Sequence, residues 1–177
     1  MRFHLTGLPG VLVVQSPEHE DNRGSFRRLW CAEIFAKARL DFSPVQASLS
    51  TSTAAHTLRG MHWQAEPHGE QKLVRCLAGA IWDVALDLRP DSPSYLLWHA
   101  EHLTAGNGRA LFLPSGVAHG FLSLTSDALV DYLIDRPHAP EAARGARWND
   151  PAFAIDWPAA PQVLSDRDRT WPDFAHV

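Results

Sequence analysis

One stretch of the chain concentrates side chains that could carry out acid–base chemistry. Arg59 and His62 lie around Gly60, and Lys72 opens the apolar run that follows. A glycine between the two polar residues is consistent with a bend that brings the backbone close to a ligand. The histidine is flanked by methionine and tryptophan, so the residues alone leave two interpretations open: a catalytic group or a hydrogen-bonded core histidine.

Lys72 is conspicuous because of the residues with which it shares a face. In a strand alternate side chains point the same way, so Lys72, Val74 and Cys76 would lie on one otherwise apolar face. A lysine there either reaches water at the entrance of the strand or is held inside a cavity. Both interpretations stay open at this point.

A second group of polar residues lies in apolar surroundings further along the chain. Pro114 and Gly116 predict a turn, after which His119 opens a strand. Asp83 lies within an apolar strand, and because a buried carboxylate is costly without a partner, we expect a partner such as a histidine. Tyr132 lies in another apolar run and would be assigned to the core.

A metal site is the chemical alternative that ten histidines suggest. Zinc and non-haem iron need about three converging His or carboxylate ligands, commonly with two histidines close together on one strand. His62 is followed by Trp63 and Gln64, and His99 and His102 are spaced unfavourably for one strand face. The pattern therefore favours a site without metal.

Composition limits the classes of partner. The 177 residues suit one domain, 1–177, and the net charge of −4 argues against a general nucleic-acid binder. Any anionic ligand would need a local basic pocket. The longest apolar stretch near the start, 10–14, is too short for a membrane span or a signal peptide and predicts a first strand. Cys31 and Cys76 could form a disulfide, but two free thiols in a reducing cytoplasm are the favoured expectation.

The elements that must position these residues are predicted to be mostly strands. Pro and Gly interrupt the chain often, and a short helix over 32–38 is the one fair helix candidate. The 72–77 and 80–88 runs flank Ala78-Gly79 and suggest a hairpin. Such spacing is typical of a sandwich or barrel, with a coil-rich segment from about residue 137. The remaining predicted strands are 95–102, 110–113, 120–124 and 129–134.

Taken together, five segments resemble the dTDP-4-dehydrorhamnose 3,5-epimerase family of the cupin superfamily. The resemblance runs from the Asp21-Asn22-Arg23-Gly24 segment almost to the end of the chain. It implies an all-β, cupin-type double-stranded jelly roll that forms a homodimer through an N-terminal strand. It also implies metal-free and cofactor-free epimerisation at C3, C5 or both of a nucleoside-diphosphate 4-keto-6-deoxyhexose. The segments are 59–64, 72–76, 79–84, 114–121, and 148–151 together with 155–158.

The resemblance also implies a role for individual residues. His62 aligns with the general base, Asp168 with the carboxylate that orients it, and Tyr132 with the acid on the opposite face. Lys72 aligns with the cation near the ketone oxygen. The implied substrate-binding positions are Arg23, Gln46, Ser48, Arg59 and His119.

Departures from the family pattern fall near the nucleotide. Ser48 stands where the family usually has asparagine, and Ala143 where an acidic residue is usual. Arg136-Pro137-His138 replaces an aromatic pair. Two alternatives to the epimerase stay open. One is a cupin 3,4-ketoisomerase on the same substrates, which would not be expected to keep this residue set, and the other is a non-catalytic sugar-nucleotide-binding cupin.

Overall fold

The computed structural model describes residues 1–174, so the last three residues of the predicted 1–177 domain lie outside it. Antiparallel strands form two facing sheets and a separate hairpin. In chain order the elements are β1 Arg2–Leu5, β2 Leu12–Gln15, β3 Glu18–Asp21, β4 Gly24–Arg27, α1 Ala32–Lys37, β5 Gln46–Ser52, β6 Leu58–Gln64, β7 Lys72–Ala78, β8 Ala80–Asp87, β9 Trp98–Thr104, β10 Arg109–Leu113, β11 Val117–Ser123, β12 Ala128–Ile134, β13 Ala143–Gly145 and α2 Asp166–Arg169.

The six-stranded large sheet has the order β1-β2-β10-β7-β12-β5. The five-stranded small sheet has the order β13-β6-β11-β8-β9, and the separate hairpin is β3-β4. The expected all-β jelly roll is confirmed.

The inward faces of the two sheets are apolar at one end and polar at the other. Val74 and Cys76 of β7 and Val130 of β12 join a buried apolar core between the sheets. One step further along the same strands, Lys72 and Tyr132 border a cavity instead. The predicted shared face of Lys72, Val74 and Cys76 is therefore confirmed, and the lysine lies on the cavity side.

The predicted hairpin across Ala78-Gly79 is wrong. β7 pairs with β10 and β12 in the large sheet, whereas β8 pairs with β11 and β9 in the small sheet. Only Gly79, at φ 71°, separates the two strands. One residue is too short a link for a two-residue hairpin turn, so the chain crosses from one sheet to the other there.

Other predicted boundaries differ by a few residues. Tyr95 belongs to a turn before β9, because its N–H donates to the Ser92 carbonyl, and that strand begins at Trp98. His119 is the third residue of β11 rather than its opening residue. The helix α1 ends at Lys37, and residues 137–174 hold only the short elements β13 and α2. Cys31 and Cys76 are free thiols, as expected.

Candidate active site

A cavity of about 680 Å³ opens between the polar ends of the two sheets. Strands β5, β7 and β12 of the large sheet form one wall, and β6, β11 and β13 of the small sheet form the other. The segment 163–168 closes one side. The polar side chains that line it belong to Gln46, Ser48, Ser50, Thr57, Arg59, His62, Gln64, Glu70, Lys72, His119, Tyr132, His138, Arg144, Ser165, Arg167 and Asp168.

His62 lies on the small-sheet wall in contact with Asp168. Its Nε2 is 2.5 Å from Asp168 Oδ1, while the other carboxylate oxygen accepts the Gly60 N–H at 3.4 Å. The aspartate is 3% exposed, whereas the histidine side chain is 42% exposed and lines the cavity. Since a carboxylate only accepts hydrogen bonds, Nε2 carries hydrogen and Nδ1 is the ring nitrogen left for a ligand.

Local structure explains how Asp168 reaches this position. Ser165 caps the short α2 turn, and its Oγ accepts the Asp168 N–H at 3.1 Å. Burial raises the pKa of Asp168, but the hydrogen bond and charge of His62 and the Gly60 N–H more than offset it, so the pKa falls below its ordinary value. The carboxylate is therefore ionised at neutral pH and can stabilise a protonated His62.

Gly60 allows the histidine strand to approach its neighbour. At φ 134°, a Cβ on Gly60 would lie 2.4 Å from the Gly120 Cα of β11. The β6–β11 pairing is shifted between His119 and Phe121, which leaves His62 directly opposite His119. The predicted bend exists, and the close approach that it permits is to the adjacent strand.

Lys72 lies on the large-sheet wall and forms an ion pair that the sequence did not predict. Its Nζ is 2.7 Å from Glu70 Oε1, and each side chain is 10% exposed. Both residues line the cavity. The ammonium group is thereby held at the end of β7, where it can meet negative charge that develops on a ligand.

Tyr132 lies on the same wall, at the edge of the apolar core. Its ring meets the His119 ring edge-on, with centroids 5.8 Å apart. Burial, then the negative charge of Asp83, raises the pKa of Tyr132. The phenol therefore keeps its proton at neutral pH.

His119 and Asp83 form the pair that the sequence predicted for a buried carboxylate. His119 Nε2 is 2.7 Å from Asp83 Oδ1, and the aspartate is completely buried. The histidine is 5% exposed and borders the cavity.

Arginines around the cavity provide the local positive charge that an acidic protein needs to bind an anion. Arg59 donates to the Thr51 carbonyl at 2.9 Å, and the Arg167 guanidinium lies 4.9 Å from the centroid of the Trp171 ring. Arg144 also lines the cavity. Arg144, Glu70 and His138 were not selected from the sequence, because no spacing links them to the histidine segment.

The structure brings together eight of the nine residues selected from the sequence. Arg23 is the exception: it lies in the β3–β4 hairpin, outside the residues that line the cavity. Its side chain is 85% exposed and paired with Asp21 at 2.6 Å. Within one chain, therefore, Arg23 does not contact this site. The eight residues that do line the cavity are Gln46, Ser48, Arg59, His62, Lys72, His119, Tyr132 and Asp168.

Residues 1–174 contain neither a metal-binding cluster nor a membrane-spanning helix. That part of the chain has no group of three or more His, Cys, Asp or Glu side chains placed to hold a metal ion. It also has no helix with the length and apolar character of a membrane span.

Comparisons with known proteins agree on one family. The model of the family described as dTDP-4-dehydrorhamnose 3,5-epimerase matches residues 5–176. A dTDP-4-dehydrorhamnose 3,5-epimerase of Sinorhizobium fredii is 37% identical over 178 residues, which cover 100% of this chain and 91% of the relative. A dTDP-4-dehydrorhamnose 3-epimerase of Streptomyces niveus is 35% identical, over 96% of this chain and 82% of the relative.

A solved structure resembles this one closely. The dTDP-4-dehydrorhamnose 3,5-epimerase of Bacillus anthracis, with TDP and PPi bound, superposes with a TM-score of 0.94. It is 35% identical to this chain, and the match covers 98% of this chain and 99% of that one. The likeness therefore extends over the whole architecture as well as the sequence.

Proposed function

As the chain belongs to the dTDP-4-dehydrorhamnose 3,5-epimerase family, we propose that it inverts C3, C5 or both of a nucleoside-diphosphate 4-keto-6-deoxyhexose. One observation carries this proposal: the histidine and the tyrosine lie on opposite walls of one cavity. His62 belongs to the small sheet and Tyr132 to the large sheet. A sugar ring held between the sheets would expose one face to each, and inversion needs a proton removed from one face and returned to the other.

The proposed reaction begins with removal of a proton from carbon beside the ketone. His62 takes this proton on Nδ1, while Asp168 at its Nε2 stabilises the imidazolium that forms. The electron pair of the broken C–H bond moves into the ring and leaves negative charge on the ketone oxygen. Lys72, which lines the opposite wall, would stabilise that enolate.

The second step returns a proton from the other face. Tyr132 gives its phenolic proton to the same carbon, the enolate collapses back to the ketone, and the carbon is inverted. Tyr132 is then a phenolate and His62 an imidazolium. A proton passed from the histidine to the phenolate through solvent restores both groups, so no oxidant or co-reactant is consumed.

Positive charge confined to the cavity suits the diphosphate of such a substrate. Arg59, Arg144 and Arg167 line the cavity and offer planar guanidinium groups that can bind phosphate oxygens in pairs. Gln46 and Ser48 of β5 offer polar groups on the large-sheet wall of the same cavity. The structural relative with TDP bound supports a thymidine nucleotide as the first substrate to test.

A homodimer would complete the site and account for Arg23. The β3–β4 hairpin is a sheet of its own, with Arg23 and Phe26 exposed, and β5 is an edge strand that exposes Leu49. We propose that the hairpin of one subunit reaches the cavity of its partner, where Arg23 contacts the diphosphate.

We further propose that residues 1–177 form one domain. We also propose a cytoplasmic location, and the two free thiols support this location.

For Arg23→Ala, we expect KM for the sugar nucleotide to rise about 10-fold with kcat nearly unchanged, since one charge-assisted contact is lost. Steady-state kinetics measure this, and light scattering should report a dimer for both proteins. Arg39→Ala, another exposed arginine, is the matched control. An unchanged KM in Arg23→Ala, or a monomer in light scattering of the wild type, would refute the proposal that the hairpin enters the partner's cavity.

The epimerase proposal is tested by exchange in D2O. With dTDP-4-keto-6-deoxyglucose, we expect NMR to detect deuterium at C3, C5 or both, together with inverted product. A 3,4-ketoisomerase would instead move the carbonyl to C3, and a non-catalytic binder would give binding without exchange. Absence of exchange at both carbons with dTDP- and CDP-linked substrates would eliminate the enolisation mechanism.

A further inference from the structure

A second histidine–aspartate pair lies beside the first. His119 of β11 is the direct cross-strand neighbour of His62 of β6, and each ring has an aspartate oxygen at its Nε2. The pairs differ in exposure: 42% of the His62 side chain is exposed, against 6% for His119. Because one histidine–aspartate pair is open to a ligand and the other is almost fully buried, we expect the two pairs to have different roles.

The aspartate of the second pair is unusually poor in partners. Asp83 is 0% exposed, and its Oδ2 is buried with no hydrogen-bond partner in the described part of the chain. Glu101, directly across from Asp83 on β9, is less buried, with its side chain 15% exposed, and accepts a hydrogen bond from Arg109 at 3.0 Å. Burying a carboxylate with one hydrogen bond is costly, so stability alone does not account for Asp83.

We propose that Asp83 is a positioning residue that acts on the reaction through His119. It accepts the Nε2 hydrogen, which fixes the ring's orientation and directs the Nδ1 side to the ligand. It also balances the positive charge of a ring that carries a second hydrogen on Nδ1 and donates it to the ketone oxygen. This inference rests on the proposed epimerase function and assigns the enolate a second hydrogen-bond donor beside Lys72.

The surroundings of His119 support this assignment. Its ring packs edge-on against Tyr132, so both groups meet the same region of the cavity. After burial, the negative charge of Asp83 is the next largest influence that raises the pKa of Tyr132. One buried carboxylate therefore orients the oxygen-binding ring and helps the phenol to keep the proton that it must donate.

The test is Asp83→Asn, a change of one atom that replaces an acceptor with a possible donor. The carboxamide can donate to Nε2, which moves the ring hydrogen to Nδ1. In ¹⁵N NMR of ligand-free protein with labelled histidines, we expect His119 to show hydrogen on Nε2 in the wild type and a shift toward Nδ1 in the variant. We also expect kcat to fall about 100-fold, with KM changed less than about 3-fold, because a neutral His119 ring donates more weakly to the enolate than a charged ring that Asp83 balances.

A matched control and a double-mutant cycle separate positioning from general damage. Glu101→Gln removes the cross-strand carboxylate without touching His119 and should keep kcat within about 3-fold of the wild type. In a His119→Gln background, Asp83→Asn should cost little more, because without the imidazole no ring charge is left for Asp83 to balance. An additive 100-fold loss there would overturn the proposal.

Two further outcomes would also overturn it. A wild-type His119 with hydrogen only on Nδ1 contradicts the assignment even if the variant does not fold. Unchanged kcat in folded Asp83→Asn does the same. Failure of the epimerase function itself would look different, since the wild type would then show no exchange with any substrate.

Discussion

His62→Ala should lower the rate of deuterium exchange at the carbon beside the ketone about 10³-fold, the range that a positioned general base contributes. No other cavity residue combines the properties of His62. It offers a free Nδ1, it is 42% exposed to the ligand space, and it has a buried carboxylate at Nε2. The change leaves the arginines in place, so the Kd for dTDP should move less than about 3-fold.

The control is His102→Ala, which removes an exposed imidazole from β9, outside the residues that line the cavity. Its exchange rate should equal that of the wild type. NMR exchange rates and calorimetry with dTDP measure the two quantities separately. Exchange at the wild-type rate in His62→Ala would disprove the base assignment, and a large loss of dTDP affinity would mean that the histidine acts mainly in binding.

Local sequence was enough to predict where some of these residues lie. The period-two pattern of β7 correctly placed Lys72 on a face with Val74 and Cys76, because strand geometry is local. The cost of burying Asp83 correctly predicted a partner such as a histidine, because solvation of a carboxylate does not depend on the fold. Neither argument could show which histidine pairs with Asp83, because the register between strands decides which residues become cross-strand neighbours.

Long-range pairing is where sequence reasoning failed or needed a resemblance. His62 and Asp168 are 106 residues apart in the chain, and no spacing rule connects them. Four of the seven residues of β5 are serine or threonine, so the sequence pattern indicates no strand there, although Ser48 lines the cavity. The Gly79 link was interpreted as a local turn because the choice between one sheet and two depends on partners far away in sequence.

Glu70 shows a further limit. It precedes β7 by two residues and would ordinarily be assigned to a solvated loop. In the structure it is 10% exposed and paired with Lys72 inside the cavity. Only the packing of two sheets makes this short segment a cavity wall, and single-residue propensities contain no information about that.

Tyr132→Phe should separate the two halves of the reaction. Proton removal by His62 does not use the phenol, so deuterium should still enter the substrate, within about 10-fold of the wild-type rate. Return of a proton from the opposite face does use it, so formation of inverted product should fall about 10²- to 10³-fold. The expected result is therefore exchange with retained configuration, measured by NMR of the recovered sugar nucleotide.

Tyr95→Phe is the matched control, because Tyr95 is the chain's other tyrosine and lies in the turn before β9, away from the residues lining the cavity. Its exchange and inversion should match the wild type. Phenylalanine keeps the ring that packs against His119, so a loss of inversion in Tyr132→Phe reports the removal of the hydroxyl alone.

Full inversion in Tyr132→Phe would show that water or another group delivers the second proton. Equal loss of exchange and inversion would show that the tyrosine acts before the enolate forms, and either result would contradict transfer between opposite walls of the cavity.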